Sequence, residues 1–403
     1  MSKSPAAAPL PLDGVRVLDV SQIMAGPFCS MLLGDMGADV IKIEPPPEGD
    51  QTRRAMAARM KGKDSLGFFN LNRNKRSFAL DLKTEAARDV FYRLVQTADI
   101  LVENYRPGVT QRLGIDYPAL SAVNPRLIYA SISGFGQTGP WANRPGFDLI
   151  TQAMSGVMSA TGQPDSPPTK SVVPVSDIGC ALFAVYGILS AFIQRGKTGR
   201  GQYIDASLFE AALAFSIWEI SDLWGTGQIP RPLGTANRFS APYQAVRARD
   251  GWFVLGANSN RLWQKLCTLL ERPDLAADAR FATIPGRLEH RLALIDEIEK
   301  SFAARTVSEW VEILLRAGIP AGPILNYAEA LNSEQTLARN AVMEIDHPVE
   351  GRVKSIGFPV KLSETVQLVR RPPPLLGEHN EEILDELGIT GELRAQLSNK
   401  EAT

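Results

Sequence analysis

Short β-branched segments alternate with helical segments along the first part of the chain, and this alternation most constrains its fold. Five segments have the composition of buried strands: VRVLDV (15–20), ADVIKIE (38–44), SFALDL (77–82), DILVEN (99–104) and RLIYASIS (126–133). Helical patterns lie between them, such as EAARDVFYRLVQTA. The alternation predicts an α/β protein with a doubly wound, Rossmann-like parallel sheet that is covered by helices on both faces.

The turn after the first predicted strand argues against one large class of such proteins. Its sequence, DVSQIMAGPFCS, lacks the GxGxxG pattern of dinucleotide-binding folds, which disfavours an NAD-dependent dehydrogenase. The same turn still places backbone N–H groups at the start of a helix, where an anion can bind, although a plain helix start explains the sequence equally well.

The composition changes after about residue 225. The stretch GTGQIPRPLGTANRFS is rich in glycine and proline and predicts a domain boundary. Beyond it, YQAVRARDGWFVLGAN predicts a β-hairpin with its turn at Asp250–Gly251, followed by helical segments. We therefore predict a large Rossmann-like domain from residues 1–225, a smaller α+β domain from 226–330, and a return of 331–403 to the large domain.

Charge and residue counts exclude several classes of function. A net charge of −1 gives no overall basic field for nucleic acid. The three cysteines and three histidines are scattered, so neither a zinc site nor a Ser-His-Asp arrangement is indicated, and a reducing, cytoplasmic compartment is expected. No apolar run approaches the roughly 20 residues of a membrane helix. We expect a soluble protein with no metal and no membrane or nucleic-acid partner.

One acid stands between an extended segment and a long apolar one in SVVPVSDIGCALFAVYGILSAF, residues 171–192. Helical spacing predicts one buried face after this acid, formed by Ile178, Leu182, Val185, Leu189 and Phe192. Asp177 at such a helix start is most often a cap, and the helix end should keep its carboxylate ionised. An ionised carboxylate is also a nucleophile towards activated acyl groups, and Gly179 leaves space for a ligand beside it.

Ordered motifs along almost the whole chain resemble one family. They include VRVLDVSQIMAGPFCSMLLGDMGADVIKIEPPPEGD, NLNRNKRSFALDLKT, ADILVENYRPGVTQRLG, NPRLIYASISGFGQTGP, KTGRGQYIDASLFEA, GIPAGPI and RPPPLLGEHNEEILDELG. The chain resembles the class III CoA-transferases of the CaiB/BaiF type, relatives of formyl-CoA transferase and carnitine CoA-transferase. Its APYQAV and NAVMEIDHP segments are similar to the succinate–hydroxymethylglutarate branch.

The resemblance implies a CoA-transferase that acts through an aspartyl anhydride and an aspartyl-CoA thioester on Asp177. It places Asp148 close to that residue as a second catalytic acid that orients or protonates a substrate carboxylate, although the motif alone is more often a helix cap. It implies no metal or redox cofactor, and the CoA thioester is the substrate. It implies CoA contacts from Ile23, Ala25, Leu80, Lys83, Asn104, Tyr105, Arg112 and Leu113. It also implies an interlocked homodimer of ring-like protomers, succinyl-CoA as donor and a dicarboxylic acid as acceptor. Four arginines are candidates for binding that acid: Arg73, Arg106, Arg144 and Arg238.

Two departures from relatives narrow the function. The racemases of this fold carry GHD, whereas this chain has GFD with Phe147, so one proton carrier is missing. The GGGGQ loop of formyl-CoA transferases is absent, which disfavours a formyl/oxalate pair. Two alternatives stay open: an acyl-CoA racemase or isomerase that uses Asp177 as a base, and a non-catalytic CoA-binding protein.

Overall fold

The computed structural model describes residues 9–55, 57–62 and 64–398. The strands are β1 (Arg16–Asp19), β2 (Asp39–Glu44), β3 (Lys75–Ala79), β4 (Ile100–Glu103), β5 (Ile128–Ser133), β6 (Tyr203–Ser207), β7 (Tyr243–Arg247), β8 (Trp252–Gly256), β9 (Ala321–Pro323), β10 (Val342–His347) and β11 (Gly351–Ile356).

The helices of the first part are α1 (Ala25–Asp35), α2 (Thr52–Ala55), α3 (Leu66–Leu71), α4 (Glu85–Thr97), α5 (Val109–Leu113), α6 (Tyr117–Val123), α7 (Asp148–Met154), α8 (Val157–Ala160), α9 (Val175–Thr198), α10 (Leu208–Phe215) and α11 (Ile217–Thr226). Those of the second part are α12 (Asn260–Leu269), α13 (Pro273–Ala277), α14 (Ile284–Glu289), α15 (Arg291–Phe302), α16 (Val307–Arg316), α17 (Tyr327–Leu331), α18 (Glu334–Ala338), α19 (Asn380–Glu386) and α20 (Gly391–Ser398).

The first six strands form one parallel sheet in the order β3-β2-β1-β4-β5-β6. The prediction of a doubly wound α/β sheet is confirmed, and the order is the one described for dinucleotide-binding folds. After β1 the chain builds β2 and β3 on one side, then returns to add β4 on the other side. The carboxyl ends of β1 and β4 therefore mark the point where strand order reverses, and α/β proteins bind ligands at this point.

Helix α9 joins the segment after β5 to β6 and packs its small residues inward. Cys180, Ala181 and Ala184 are fully buried in a cluster with α1 and the sheet, whereas Leu182 is 47% exposed. The predicted buried face is therefore wrong at Leu182. Small side chains allow the helix to approach α1 and the sheet closely, which leaves larger apolar residues on the opposite side.

The length of α9 also corrects an expectation about membranes. Its 24 residues are long and apolar enough, by length and composition alone, to cross a membrane, so the expectation that no apolar run approaches that length is wrong. Its buried residues pack against α1 and the sheet, as expected of a crossover helix in an α/β core.

The chain divides into two compact units. The larger one contains residues up to Val157, Ser171–Gly227 and the segment from Leu337 onwards. The smaller one contains Met158–Lys170 and Gln228–Thr336, and no sequence pattern indicated that Met158–Lys170 belongs to it. Its strands form the antiparallel sheet β7-β8-β9, which packs with α12, α15 and α16 around Trp263.

The C-terminal segment completes the larger unit at the β3 edge of the parallel sheet. The backbone N–H groups of Ser77 and Ala79 donate to His379 Nδ1 and Asn380 Oδ1, at 3.2 and 2.8 Å. Arg76 on the same strand pairs with Glu386 at 2.6 Å. Side chains from the end of the chain therefore satisfy donors that an edge strand would otherwise expose.

Candidate active site

A cavity of about 350 Å³ lies at the switch point of the parallel sheet, and all of its lining residues belong to the larger unit. The turn after β1, the loop after β4, the end of β5 and the start of α9 each contribute to its wall. The lining residues are Gln22, Ile23, Met24, Ala25, Gln51, Asn104, Tyr105, Arg106, Val109, Ile132, Ser133, Gly134, Gly146, Phe147, Asp177 and Leu208.

Asp177 does not cap α9. The helix begins at Val175, so Asp177 lies in its first turn, and the cap comes from α7. Asp148 Oδ1 accepts a hydrogen bond from the Ser176 backbone N–H at 2.9 Å, and Asp148 Oδ2 accepts one from Gln152 Nε2 at 2.6 Å. Asp148 is thus held by two protein donors, and its direct part in catalysis stays a prediction.

The carboxylate of Asp177 is unusually basic. Burial first, and the negative charge of Asp148 second, raise the pKa of Asp177 to about 7. The helix end is expected to keep this group ionised, but it does not outweigh burial, which raises the pKa. Among the described residues, none donates a hydrogen bond to the Asp177 carboxylate. A basic carboxylate without a protein partner in a cavity is suited to attack an electrophile or to accept a proton.

Two close approaches shape the wall around Asp177. A Cβ on Gly179 would lie 2.5 Å from the Phe215 ring, so the phenylalanine fills the space that we expected a ligand to use. A Cβ on Gly134 would lie 2.8 Å from the Cα of Gly146. That backbone contact fixes the loop that carries Phe147, whose side chain is 57% exposed.

The residues assigned to CoA by resemblance divide into two groups. Ile23, Ala25, Asn104 and Tyr105 line the cavity together with Asp177. The others lie outside this lining, and their roles stay predictions. Leu80 is buried in the hydrophobic core, Leu113 packs against that core, and Lys83 and Arg112 are exposed.

The structure separates the four candidate arginines. Arg73 is buried and pairs with Asp35 through two hydrogen bonds of 2.9 and 2.6 Å, so it has no free face for a substrate. Arg144 lies over the Trp141 ring and does not line the cavity. Arg238, in the smaller unit, donates to a backbone carbonyl. Among the described residues that line the cavity, Arg106 is the one cation.

Other lining residues were not identified from the sequence. Gln22, Gln51 and Ser133 carry no motif of their own. Their position is the signal that could have found them: Gln22 and Gln51 follow β1 and β2, Ser133 is the last residue of β5, and the carboxyl ends of parallel strands meet at one edge. The described residues contain no group of three or more His, Cys, Asp or Glu side chains arranged to hold a metal ion.

Comparison with known proteins gives the family. The model of "CoA-transferase family III" matches residues 12–380. The chain belongs to CoA-transferase family III. It is similar to the acetyl-CoA:oxalate CoA-transferase of Acetobacter aceti, at 42% identity over 89% of this chain and 91% of that one. It is also similar to the succinyl-CoA:glutarate CoA-transferase of Mus musculus, at 36% identity over 94% and 86%.

A solved structure agrees with the fold of this family III CoA-transferase. The crystal structure of a CAIB/BAIF family protein from Brucella suis superimposes with a TM-score of 0.84, at 38% identity, over 94% of this chain and 100% of that one. The predicted family and the predicted enzyme class are confirmed. The expectation against a formyl/oxalate pair stays a prediction; the relative that is named for oxalate is named with acetyl-CoA and not with a formyl donor.

Proposed function

We propose that this CoA-transferase moves CoA from succinyl-CoA to a dicarboxylic acid through Asp177. An Asp177 oxygen attacks the thioester carbonyl, the C–S bond breaks, and the electron pair leaves with the CoA thiolate. The thiolate then attacks the aspartyl carbon of the anhydride and releases succinate. The acceptor carboxylate and the same thiolate repeat these steps in reverse, which regenerates the Asp177 carboxylate without a net proton, metal or redox change.

One observation carries this proposal: the cavity at the switch point contains a carboxylate with no hydrogen-bond donor among the described residues. Its pKa of about 7 makes it a stronger nucleophile than an ordinary aspartate, while leaving about half of it ionised near neutral pH. Asp148 supports the chemistry from outside by capping α9 and by its charge, and both oxygens of Asp148 already have protein partners.

The choice of a dicarboxylic acceptor rests on charge and on the relatives. Oxalate and glutarate, after which two relatives are named, each carry a second carboxylate. Arg106 lines the cavity, is exposed, and has no ion pair with another described residue. A guanidinium binds a carboxylate through two parallel hydrogen bonds. We assign the distal carboxylate of the acceptor to Arg106.

Intact-mass analysis after addition of succinyl-CoA tests the proposal. Wild type should gain either a succinyl group or CoA, and hydroxylamine should remove both adducts. Asp177→Asn should gain neither and should transfer no CoA to glutarate or oxalate. Asp205→Asn is the matched control, because Asp205 is a carboxylate on β6 whose pKa is also raised and which does not line the cavity. Normal transfer by Asp177→Asn would overturn the mechanism.

A second function is favoured by the same pKa. A carboxylate that titrates near 7 is also an effective base towards an α-proton, as in an acyl-CoA racemase or isomerase. Phe147 in the cavity cannot supply the second proton carrier. Deuterium incorporation at the α-carbon of an acyl-CoA, without exchange of CoA between acids, would establish this function in place of transfer.

A homodimer is part of the proposal, and an apolar surface on the larger unit supports it. On α9 the side chains of Phe183, Tyr186 and Ile193 are 41, 70 and 65% exposed. No residue of α11 is buried, and its Trp224 is 81% exposed. A contiguous exposed apolar surface of this kind is more often covered by another protein molecule than left in contact with water. We propose that a second copy covers it; interlocking and a cytoplasmic location stay predictions.

A further inference from the structure

The turn between β1 and α1 contains a strained residue. Ile23 has a φ of 71°, in the left-handed region, which is a true outlier for a β-branched side chain. This strained residue is part of the cavity wall, because Ile23 and Ala25 line the cavity together with Asp177. Strain of this kind persists only where surrounding groups impose it.

Side chains hold every polar backbone group of the preceding two residues. Asp19 accepts the Ser21 N–H at 3.0 Å, and Lys42 donates to the Ser21 carbonyl at 2.9 Å. Asn104 accepts the Gln22 N–H at 2.8 Å and donates to its carbonyl at 2.6 Å. The turn therefore reaches Ile23 with its direction already fixed.

The strained residue itself is tied to Asp50. Asp50 Oδ1 accepts the Ile23 N–H at 3.1 Å and both donors of Thr52, at 2.9 and 2.8 Å. Asp50 Oδ2 lies 2.9 Å from Lys42 Nζ, and neither side chain is accessible to solvent. The same ammonium thus holds the Ser21 carbonyl on one side and the carboxylate that restrains Ile23 on the other.

Both members of this pair stay charged. Burial alone would raise the pKa of Asp50, but Lys42 and the Thr52 hydrogen bonds hold it below its usual value. Burial alone would lower the pKa of Lys42, but the Asp19 and Asp50 carboxylates raise it. A buried ion pair contributes little net stability, because removing two charges from water costs free energy, and apolar residues of the same size often stabilise a fold equally well. Stability alone therefore does not account for a Lys42–Asp50 pair beneath the cavity wall.

We infer that the Lys42–Asp50 ion pair is a positioning device, which holds Ile23 in the left-handed conformation so that Ile23 and Ala25 face the cavity beside Asp177. When Asp50 is removed, Ile23 relaxes towards negative φ, and the part of the cavity wall that Ile23 and Ala25 form moves. Neither residue of the pair lines the cavity, so the effect passes through the turn. The inference rests on the proposed function only for the identity of the ligand.

Hydrogen exchange tests the positioning without any assumption about activity. In Asp50→Ala the amides of residues 20–28 should exchange about tenfold faster than in wild type, as expected for the loss of a hydrogen bond to a charged group. Asp35→Ala is the matched control, since it breaks a buried carboxylate–guanidinium pair at the other end of α1. Equal protection of residues 20–28 in both variants and wild type overturns the inference.

A second variant covers the case in which Asp50→Ala does not fold. Asp50→Asn keeps the size of the side chain and one oxygen for the Ile23 N–H, and it loses the charge that faces Lys42. It should show a smaller increase in exchange over the same residues. Unchanged exchange in a folded Asp50→Asn, with full protection of the Ile23 amide, counts against a role for the ion pair.

Rescue separates positioning from general destabilisation. Glycine adopts positive φ without strain, so Ile23→Gly should recover much of the protection from exchange that Asp50→Ala loses, and should recover none in Asp35→Ala. The readout of rescue is the exchange of the backbone amides, because Ile23 itself lines the cavity. Asp50→Ala alone should raise the Kd for CoA about tenfold. Purely additive effects of the two substitutions overturn the inference.

Failure of wild type to transfer CoA would reject the proposed function. The exchange rates and the Kd for CoA would still decide whether the Lys42–Asp50 pair positions Ile23.

Discussion

Asp148 accepts the backbone N–H of Ser176 at 2.9 Å and thereby caps the helix in whose first turn Asp177 lies. The same carboxylate is, after burial, the second cause of the raised pKa of Asp177. One acid therefore fixes the position of the other and sets its basicity. Because the cap comes from a different helix, Asp177 is left with both oxygens available to a substrate.

Asp148→Asn should move the acidic limb of the pH–rate profile to lower pH, since a neutral amide removes the like charge but not the burial. The amide oxygen can still accept the Ser176 N–H, so the position of α9 is retained. The measurement is kcat/KM against pH for succinyl-CoA. Asp205→Asn serves as the control, and a limb that stays near 7 in Asp148→Asn would contradict this coupling.

Asp177→Asn should stabilise the fold at high pH. The pKa of Asp177 is raised from 3.8 to about 7, so between these values the folded state binds more protons than the unfolded state. Its contribution to the free energy of unfolding therefore falls as pH rises through that window. We expect a Tm gain on the order of 1–3 °C at pH 8 and little difference at pH 4. A constant difference at both pH values would show that the carboxylate charge is not responsible.

Gly179→Ala should destabilise the protein, because its Cβ would meet the Phe215 ring at 2.5 Å. Overpacking costs about 1–3 kcal/mol, which opposes the gain of about 1 kcal/mol in helix propensity. Gly196→Ala on the same helix is the control, since no atom outside the local helix backbone lies within 4 Å of its added Cβ, and it should stabilise. Urea unfolding measures both. Phe215→Leu should relieve the cost of Gly179→Ala if the ring is the cause.

Tyr186→Glu should weaken self-association, because it puts a charge on the exposed apolar surface of α9. Light scattering coupled to size exclusion should show wild type as a dimer and the variant shifted towards monomer at micromolar concentration. Leu292→Glu changes an equally apolar residue, 82% exposed, in the smaller unit and should leave the mass unchanged. A wild-type monomer would reject the homodimer.

Arg106→Leu should raise the KM for glutarate or oxalate about tenfold or more, the loss expected for a hydrogen-bonded charge pair. The KM for a monocarboxylic acceptor should change little. Arg106→Lys keeps the positive charge but cannot form two parallel hydrogen bonds to a carboxylate. Its KM for glutarate or oxalate should therefore lie between those of wild type and Arg106→Leu. An equal rise in KM for succinyl-CoA and for every acceptor would assign Arg106 to CoA instead.

The parallel sheet was predictable because short apolar runs, β-branched in most of the strands, alternate with helical patterns, although β3 (KRSFA) contains no β-branched residue. The buried face of α9 was not predictable from the sequence. Leu182 is more hydrophobic than Ala181 and Ala184, so the apolar pattern assigned Leu182 to the buried face, whereas the two alanines are the buried residues. The resemblance placed Ile23, Ala25 and Asp177 in one site, and the cavity brings them together.

The contacts that determine the charge and the backbone conformation at the site could not be predicted from the sequence. The cap on α9 comes from a residue 28 positions before Ser176, and no local pattern connects the two. The left-handed conformation of Ile23 contradicts the preference of isoleucine itself, because Asp50 and Lys42 impose it from distant parts of the chain. Contacts between separate elements determined what the local sequence could not.

The way in which His379 and Asn380 close the β3 edge has a consequence for biosynthesis. Arg76 meets Glu386 only after 310 further residues have been made, an interval of about 15–60 s at typical translation rates. During that interval the nascent sheet presents an unpaired edge, and every residue of the smaller unit is synthesised before the interval ends. The larger unit is therefore the last to be completed, although its first strand is made before any residue of the smaller unit.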